Sequence, residues 1–204
     1  MNTKLVLFDL DGVLVNACDW HYEALNLALK EIAGTEINRK EHEETFNGLP
    51  TLTKLDQLIK LGRVNASDKN KISERKQELT RDVLVERCKL DPEKMRVMSW
   101  LKDRNVTTMC VTNSIRDSAE IMLVKSGIRE FLSGVVSNED IANPKPNSEG
   151  YVTAMARAGV IPRDTVIVED SPKGIQAASG LGTTVIEVGN ADDVTVELMR
   201  DRIK

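Results

Sequence analysis

Aromatic residues are scarce: three Phe, two Trp and two Tyr in 204 residues. The chain thus lacks a strong platform of rings, and a nucleotidase that selects its substrate by base stacking is not suggested. Cysteine is also thin. Cys18, Cys88 and Cys110 are odd in number and have no metal-ligand spacing, so they read as buried or incidental thiols in a reducing compartment. No segment approaches the roughly 18 apolar residues of a membrane span. The apolar stretch after Lys4 runs only to Phe8 and is closed by Asp9, too short for a signal peptide. There is no basic stripe, and the net charge is −4. Neither nucleic acid nor membrane is therefore an expected partner, and the expectation is a cytoplasmic protein, monomeric or homodimeric. Repeats and low-complexity tracts are absent.

What is present is an ordinary globular composition, 41% hydrophobic and 29% charged, on a chain long enough for a large core. Residues 5–8 form a continuous apolar run closed by Asp-Leu-Asp-Gly, the pattern of a buried parallel strand. Similar short runs occupy 106–111, 135–136, 166–168 and 184–188. Helical patterns separate them: Asp91 and Pro92 open one, Gly127 and Gly159 close two more, and Ser171 with Pro172 opens a short one. Strand alternating with helix predicts a doubly wound α/β core with a mostly parallel, Rossmann-like sheet. From 16 to 90 the rhythm breaks. Ala24, Leu25, Ala28, Leu29 and Ile32 line one helical face, with Glu23, Asn26 and Lys30 turned away. Leu52, Leu55 and Ile59 line another. The expected organisation is an α/β core from 1–15 and 91–204, interrupted by an all-helical cap at 16–90.

In open α/β sheets ligands bind beyond the carboxyl ends of the strands. Asp9 and Asp11 follow the first strand; Thr112, Asn113 and Ser114 follow the second. Lys145 lies between prolines after the third, and Glu169 and Asp170 follow the fourth. Singly, each has a plainer reading: a turn, a helix N-cap, an exposed loop lysine, a charged cap. Together, at successive strand ends, they suit a hard divalent cation and a phosphate. Mg²⁺ takes oxygen ligands at about 2.1 Å and keeps several waters. Asp9, Asp170 and Glu169 offer carboxylates, and a backbone carbonyl near Asp11 another ligand. Hydrolysis of a phosphate monoester needs accelerations of up to about 10²¹-fold, which positioning and charge neutralisation must largely carry. Lys145 would offset phosphoryl charge while Thr112, Asn113 and Ser114 hold its oxygens. Asp9 would attack phosphorus, and Asp11 would serve as acid and then base.

Phe8 to Val13, Val111 to Ser114, Lys145 between its prolines, and Val168 to Gly174 resemble, in order, the four motifs of the haloacid dehalogenase superfamily. Within it the chain is most similar to beta-phosphoglucomutase-like proteins and small sugar-phosphate phosphatases, which carry a helical cap after the first motif. The resemblance implies Asp9 as nucleophile, Asp11 as acid/base, Thr112 as phosphate ligand, Lys145 as charge clamp, and Asp170 with Glu169 at Mg²⁺. Dehalogenation is disfavoured, because the dehalogenase members need neither the second motif aspartate nor a metal.

In the insert, His21 lies in line with Leu25 and Ala28 and is read as inward-facing. The loop from Asn47 through Gly48 to Thr51 resembles the family's cap substrate loop, and Lys76 falls where mutase-like relatives place a lysine against the counterpart of His21. Each has a bland alternative: a satisfied histidine, a helix–helix turn, a solvated lysine. His42 reads as cap surface. Thr51 stands where beta-phosphoglucomutases carry an arginine for a second phosphate, with Lys54 one turn on. The expected activity is a phosphatase for a small sugar or polyol phosphate. A phosphomutase and a catalytically idle binding module are the alternatives.

Overall fold

The structure, a computed structural model, describes residues 3–203. The chain divides into two compact units, one formed by Ala17–Arg87 and the other by the residues on either side of it.

The larger unit is an α/β sandwich. Its strands are β1 (Leu5–Phe8), β2 (Thr107–Val111), β3 (Gly134–Val136), β4 (Thr165–Glu169) and β5 (Thr184–Glu187), all parallel in the order β3-β2-β1-β4-β5. The alternation read from the sequence is thus the fold that forms. β1 lies at the centre, with Leu5 in register with both Thr107 and Thr165. All four of its side chains are fully buried, because helices cover both faces of a parallel sheet. Leu5 and Leu7 share a cluster with Met109, Val111, Ile167 and Tyr151. Burying a side chain of this size contributes about 2 kcal/mol. β5 is an edge strand in which Ile186 alone is buried.

The flanking helices start and stop where local chemistry allows. Asp91 caps α5 (Pro92–Lys102), accepting from Lys94 N at 2.9 Å with proline in the first turn. α6 (Arg116–Lys125) follows β2, and α7 (Glu149–Ala158) stops at Gly159, whose φ of 65° suits glycine. Ser171 caps α8 (Pro172–Ala178) through Gly174 N, and α9 (Val196–Arg202) closes the unit. In this strand order the chain steps outward from β1 to β2 and β3, then crosses back to β4 on the other side of β1, and this reversal opens a crevice at the carboxyl ends of β1 and β4.

The smaller unit is entirely helical: α1 (Cys18–Ala33), α2 (Arg39–Glu41) running into a π-helical turn at His42–Phe46, α3 (Thr51–Lys60) and α4 (Lys69–Arg87). Leu25, Ala28, Leu29, Ile37, Phe46, Leu55, Leu58 and Ile72 form its core. Among the described residues no helix is long and apolar enough to cross a membrane. Cys88 and Cys110 are buried thiols and Cys18 is half-buried.

Three sequence readings of this unit need correction. Asn26 is not turned away: its carboxamide pairs with both Ile37 N and Ile37 O, each at 2.8 Å, stitching α1 to the strand-like entry of α2. Leu52 is 48% exposed, and the inward face of α3 carries Lys54, Leu55 and Leu58 instead. His42 is not surface. It is 3% exposed, its ring lies tilted against Tyr22 with the centroids 4.7 Å apart, and neither nitrogen has a hydrogen-bond partner among the described residues.

Burial, with Lys54 and Arg39 nearby, pushes His42 down to about 4 from its ordinary value. Its folded-state pKa is lowered, so its neutral form stabilises the fold above 6.5, and that contribution is lost as pH falls from 6.5 through about 4. His42→Phe keeps the ring contact with Tyr22 and removes the orphaned nitrogens. It is expected to leave stability at neutral pH unchanged or higher, and to gain on the order of 2 kcal/mol over the wild type near the acid end. Denaturant melts across pH check this; an equal acid loss in both proteins would rule it out.

Candidate active site

Asp9 directly follows β1, and its backbone N–H donates to Val168 O at 3.0 Å, so the end of β4 fixes its position. The chain then turns sharply: Gly12 N donates to Val15 O, and both Leu14 N and Val15 N donate to Leu10 O. Gly12 has φ 95°, and a Cβ there would come 2.1 Å from Asp170 Oδ2. Only glycine lets the second acidic strand end approach this turn.

Lys145 is 5% exposed. Its ammonium donates to Asp9 Oδ1 and to Glu169 Oε1, both at 2.6 Å. Glu169 is fully buried and saturated. Oε1 also accepts from Tyr151 OH at 2.5 Å, and Oε2 accepts from Asp170 N, Ser171 N and Ser171 Oγ. Gly174 makes room for it, since a Cβ there would sit 1.8 Å from Oε1. After β2, Thr112 is 2% exposed, and its N–H donates to Val136 O. Ser114 Oγ donates to Asp11 Oδ2 at 2.8 Å, with Thr112 Oγ1 3.5 Å from the same oxygen.

Asn113 does something the sequence reading did not assign to it. Its Nδ2 donates to Lys145 O at 3.1 Å, and its Oδ1 accepts from Lys145 N at 3.0 Å. The carboxamide thus acts as a backbone clamp on the loop that carries Lys145. That loop is braced further. Asp140 Oδ2 accepts from Ser137 N and Oγ and from Arg116, while Oδ1 accepts from Arg157. Although burial would raise it, these donors hold Asp140 down at about 2. Glu149 accepts from Ala142 N, Asn143 N and Asn143 Nδ2.

The electrostatics are those of a site with excess negative charge. Burial pushes the Asp9 carboxyl well above its ordinary value; Glu169, Asp170 and Asp11 add to the rise and Lys145 opposes it. Burial alone would lower the Lys145 ammonium, but Asp9 and Glu169 outweigh it and hold that group well above its usual range. Asp170 is pushed up to about 7 by burial and by Glu169 and Asp11. Its Oδ1 is buried with no hydrogen-bond partner among the described residues. Asp9, Glu169 and Asp170 each offer an oxygen within 4.8 Å of the others. A divalent cation fits this donor set. It would satisfy the orphaned oxygen and relieve the repulsion that raises both aspartates.

In the helical unit, His21 Nδ1 lies 3.2 Å from Lys76 Nζ, and Lys76 is 6% exposed rather than solvated. Gly48, with φ 73°, makes a turn closed by Leu49 N on Phe46 O at 3.1 Å, and Thr51 opens α3 just beyond. No sequence signal marks Tyr151 as a site residue. It lies on the apolar stripe of α7, where the pattern reads as core, yet its hydroxyl reaches Glu169 and its ring centroid lies 4.9 Å from Lys145 Nζ. Burial holds its phenol well above the ordinary value, so it is a donor.

A family model described as haloacid dehalogenase-like hydrolase matches residues 6–188. The chain is 26% identical over 223 aligned positions to beta-phosphoglucomutase of Bacillus subtilis, covering 97% of this chain and 94% of that one. It is 25% identical to a phosphorylated carbohydrates phosphatase of Thermotoga maritima, over 88% and 82% of the two chains. The fold matches beta-phosphoglucomutase from Clostridium difficile with a TM-score of 0.84 at 19% identity, over 98% and 96% of the chains.

Proposed function

Since the chain belongs to the haloacid dehalogenase-like hydrolases, in their beta-phosphoglucomutase-like branch, and is a hydrolase of phosphate esters, we propose that it is a Mg²⁺-dependent phosphatase for a small sugar or polyol phosphate. The observation that carries the proposal is the Asp9–Lys145–Glu169 array at the end of the central strand, with the orphaned Asp170 oxygen beside it.

Asp9 attacks phosphorus: an oxygen–phosphorus bond forms on its carboxylate as the bond to the leaving oxygen breaks. Asp11, held by Ser114, gives that oxygen its proton and later takes one from the water that hydrolyses the aspartyl-phosphate. Thr112 donates to a phosphoryl oxygen, while the Ser114 hydroxyl stays on Asp11 and its N–H on Thr112 Oγ1. Lys145 neutralises part of the phosphoryl charge, with Glu169 fixing its direction. Asp9, Asp170 and the backbone carbonyl of Asp11 would hold Mg²⁺, with Glu169 offering a third carboxylate. When bound, the ion supplies charge neutralisation and orients the phosphoryl group.

A second reading is favoured by the mutase relatives: return of the phosphoryl group to the substrate as an isomer. Thr51 in place of an arginine weakens it, since a bisphosphate intermediate would be held poorly. Phosphate release with and without Mg²⁺ over a panel of sugar, polyol and nucleotide monophosphates tests the proposal. Magnesium-dependent release, strongest on sugar or polyol esters, is the expected result. Isomerised hexose phosphate appearing faster than phosphate would replace it with the mutase.

The ion has a second readout. Asp170 is raised in the folded state, so the metal-free protein loses stability as pH rises from 3.8 through about 7. Mg²⁺ is expected to raise the melting temperature at neutral pH and flatten that decline, and EDTA to reverse both. A melting temperature indifferent to Mg²⁺ at neutral pH would contradict the assigned site.

A further inference from the structure

We propose that Tyr151 is a positioning residue of the active site, acting through Glu169 to keep the Lys145 ammonium shared with Asp9. The inference rests on the phosphatase reading above and adds a residue to it.

Tyr151 is 0% exposed. A buried phenol needs a partner for its hydroxyl, and a backbone carbonyl would satisfy it at no functional expense. Tyr151 OH donates instead to Glu169 Oε1 at 2.5 Å, the same oxygen that accepts from Lys145 Nζ at 2.6 Å. Its ring lies beside the ammonium, with the centroid 4.9 Å from Nζ. One side chain therefore touches both members of the pair behind the nucleophile.

The geometry has a consequence for Lys145. Asp9 Oδ1 and Glu169 Oε1 compete for its ammonium at equal distances. Oε2 is already occupied by Asp170 N, Ser171 N and Ser171 Oγ, so Glu169 draws Lys145 mainly through Oε1. A phenol spending part of that oxygen's acceptor capacity weakens the pull. Without the hydroxyl, Glu169 takes a larger share of the ammonium, away from Asp9 and the phosphoryl group it is to receive. The ring keeps the ammonium in place laterally and fills the core under β1 and β4.

Tyr151→Phe separates the two contributions, because it keeps the ring and deletes the hydroxyl. The enzyme is assayed with its best panel substrate in Mg²⁺, together with its inhibition by orthovanadate, which mimics the transferring phosphoryl group. The expected result is a fall in kcat of about tenfold, KM within about twofold of the wild type, and weakening of vanadate inhibition by a factor matching the loss in kcat. Tyr151→Leu, which lacks the ring as well, should lose more. A kcat equal to that of the wild type in Tyr151→Phe would overturn the inference and leave the phosphatase reading standing. A lowered kcat with unchanged vanadate inhibition would overturn it too, since a poorly folded fraction lowers turnover without altering the affinity of the rest. No turnover by the wild type on any ester would remove the phosphatase reading, and this inference with it.

Discussion

Asp9→Asn is expected to lower phosphate release by about 10⁴-fold or more, because no neighbouring group can form the covalent intermediate in its place. The same substitution should not unfold the protein. Asp9 is a buried carboxylate raised by desolvation and by Glu169, Asp170 and Asp11. A group whose folded-state pKa is raised costs stability as pH rises from its ordinary value toward the raised one, so a neutral isostere removes the penalty in the metal-free protein. Lys145 keeps Glu169 as its partner. The variant is therefore expected to melt at or above the wild-type temperature at neutral pH without metal. Loss of activity accompanied by a large loss of stability would instead make Asp9 a structural group.

Lys145→Met should show the opposite combination, losing both activity and stability. Removing the ammonium leaves Asp9 and Glu169 facing each other in a buried site, each without the partner 2.6 Å away. Breaking a buried ion pair from one side costs about 3 kcal/mol or more. Turnover should fall by about 10³-fold with the loss of charge stabilisation on the phosphoryl group. The stability loss carries a signature: it should shrink as pH falls, because protonation of Asp9 relieves the repulsion, and be fully expressed at neutral pH. Equilibrium denaturation at several pH values, without metal, reads it. A pH-independent loss would point to packing rather than charge.

The elements most legible in the sequence are those whose pattern has one physical solution. Leu5 to Phe8 is apolar throughout and closed by a turn, and a parallel strand covered on both faces is what such a run forms. Asp9, Thr112, Lys145 and Asp170 were legible as a group because parallel connection delivers every strand's carboxyl end to one edge. Positions admitting two solutions were not legible. On α3, both Leu52-Leu55-Ile59 and Lys54-Leu55-Leu58 satisfy helical spacing, and a lysine's long stem can be buried as readily as a leucine. His42 lies in a π-helical turn, where Asn47 N donates to His42 O at 2.7 Å; the extra residue shifts the phase that an α-helical pattern assumes. The clamp by Asn113 spans 32 residues, and no local rule reveals which backbone a carboxamide will meet. Tyr151 was hidden by its own apolar ring. Its place on the inward face of α7 suits a core residue, and helical spacing says nothing of where a hydroxyl ends.

The central claim is that Asp9 carries the phosphoryl group. It is tested most directly by mixing enzyme, Mg²⁺ and the best panel substrate, quenching in acid within a turnover, and mapping phosphorylated peptides by mass spectrometry. A phosphoryl group on Asp9 that disappears on longer incubation is the expected result. Turnover with no modification at Asp9, or with the phosphoryl group on another side chain, would contradict it.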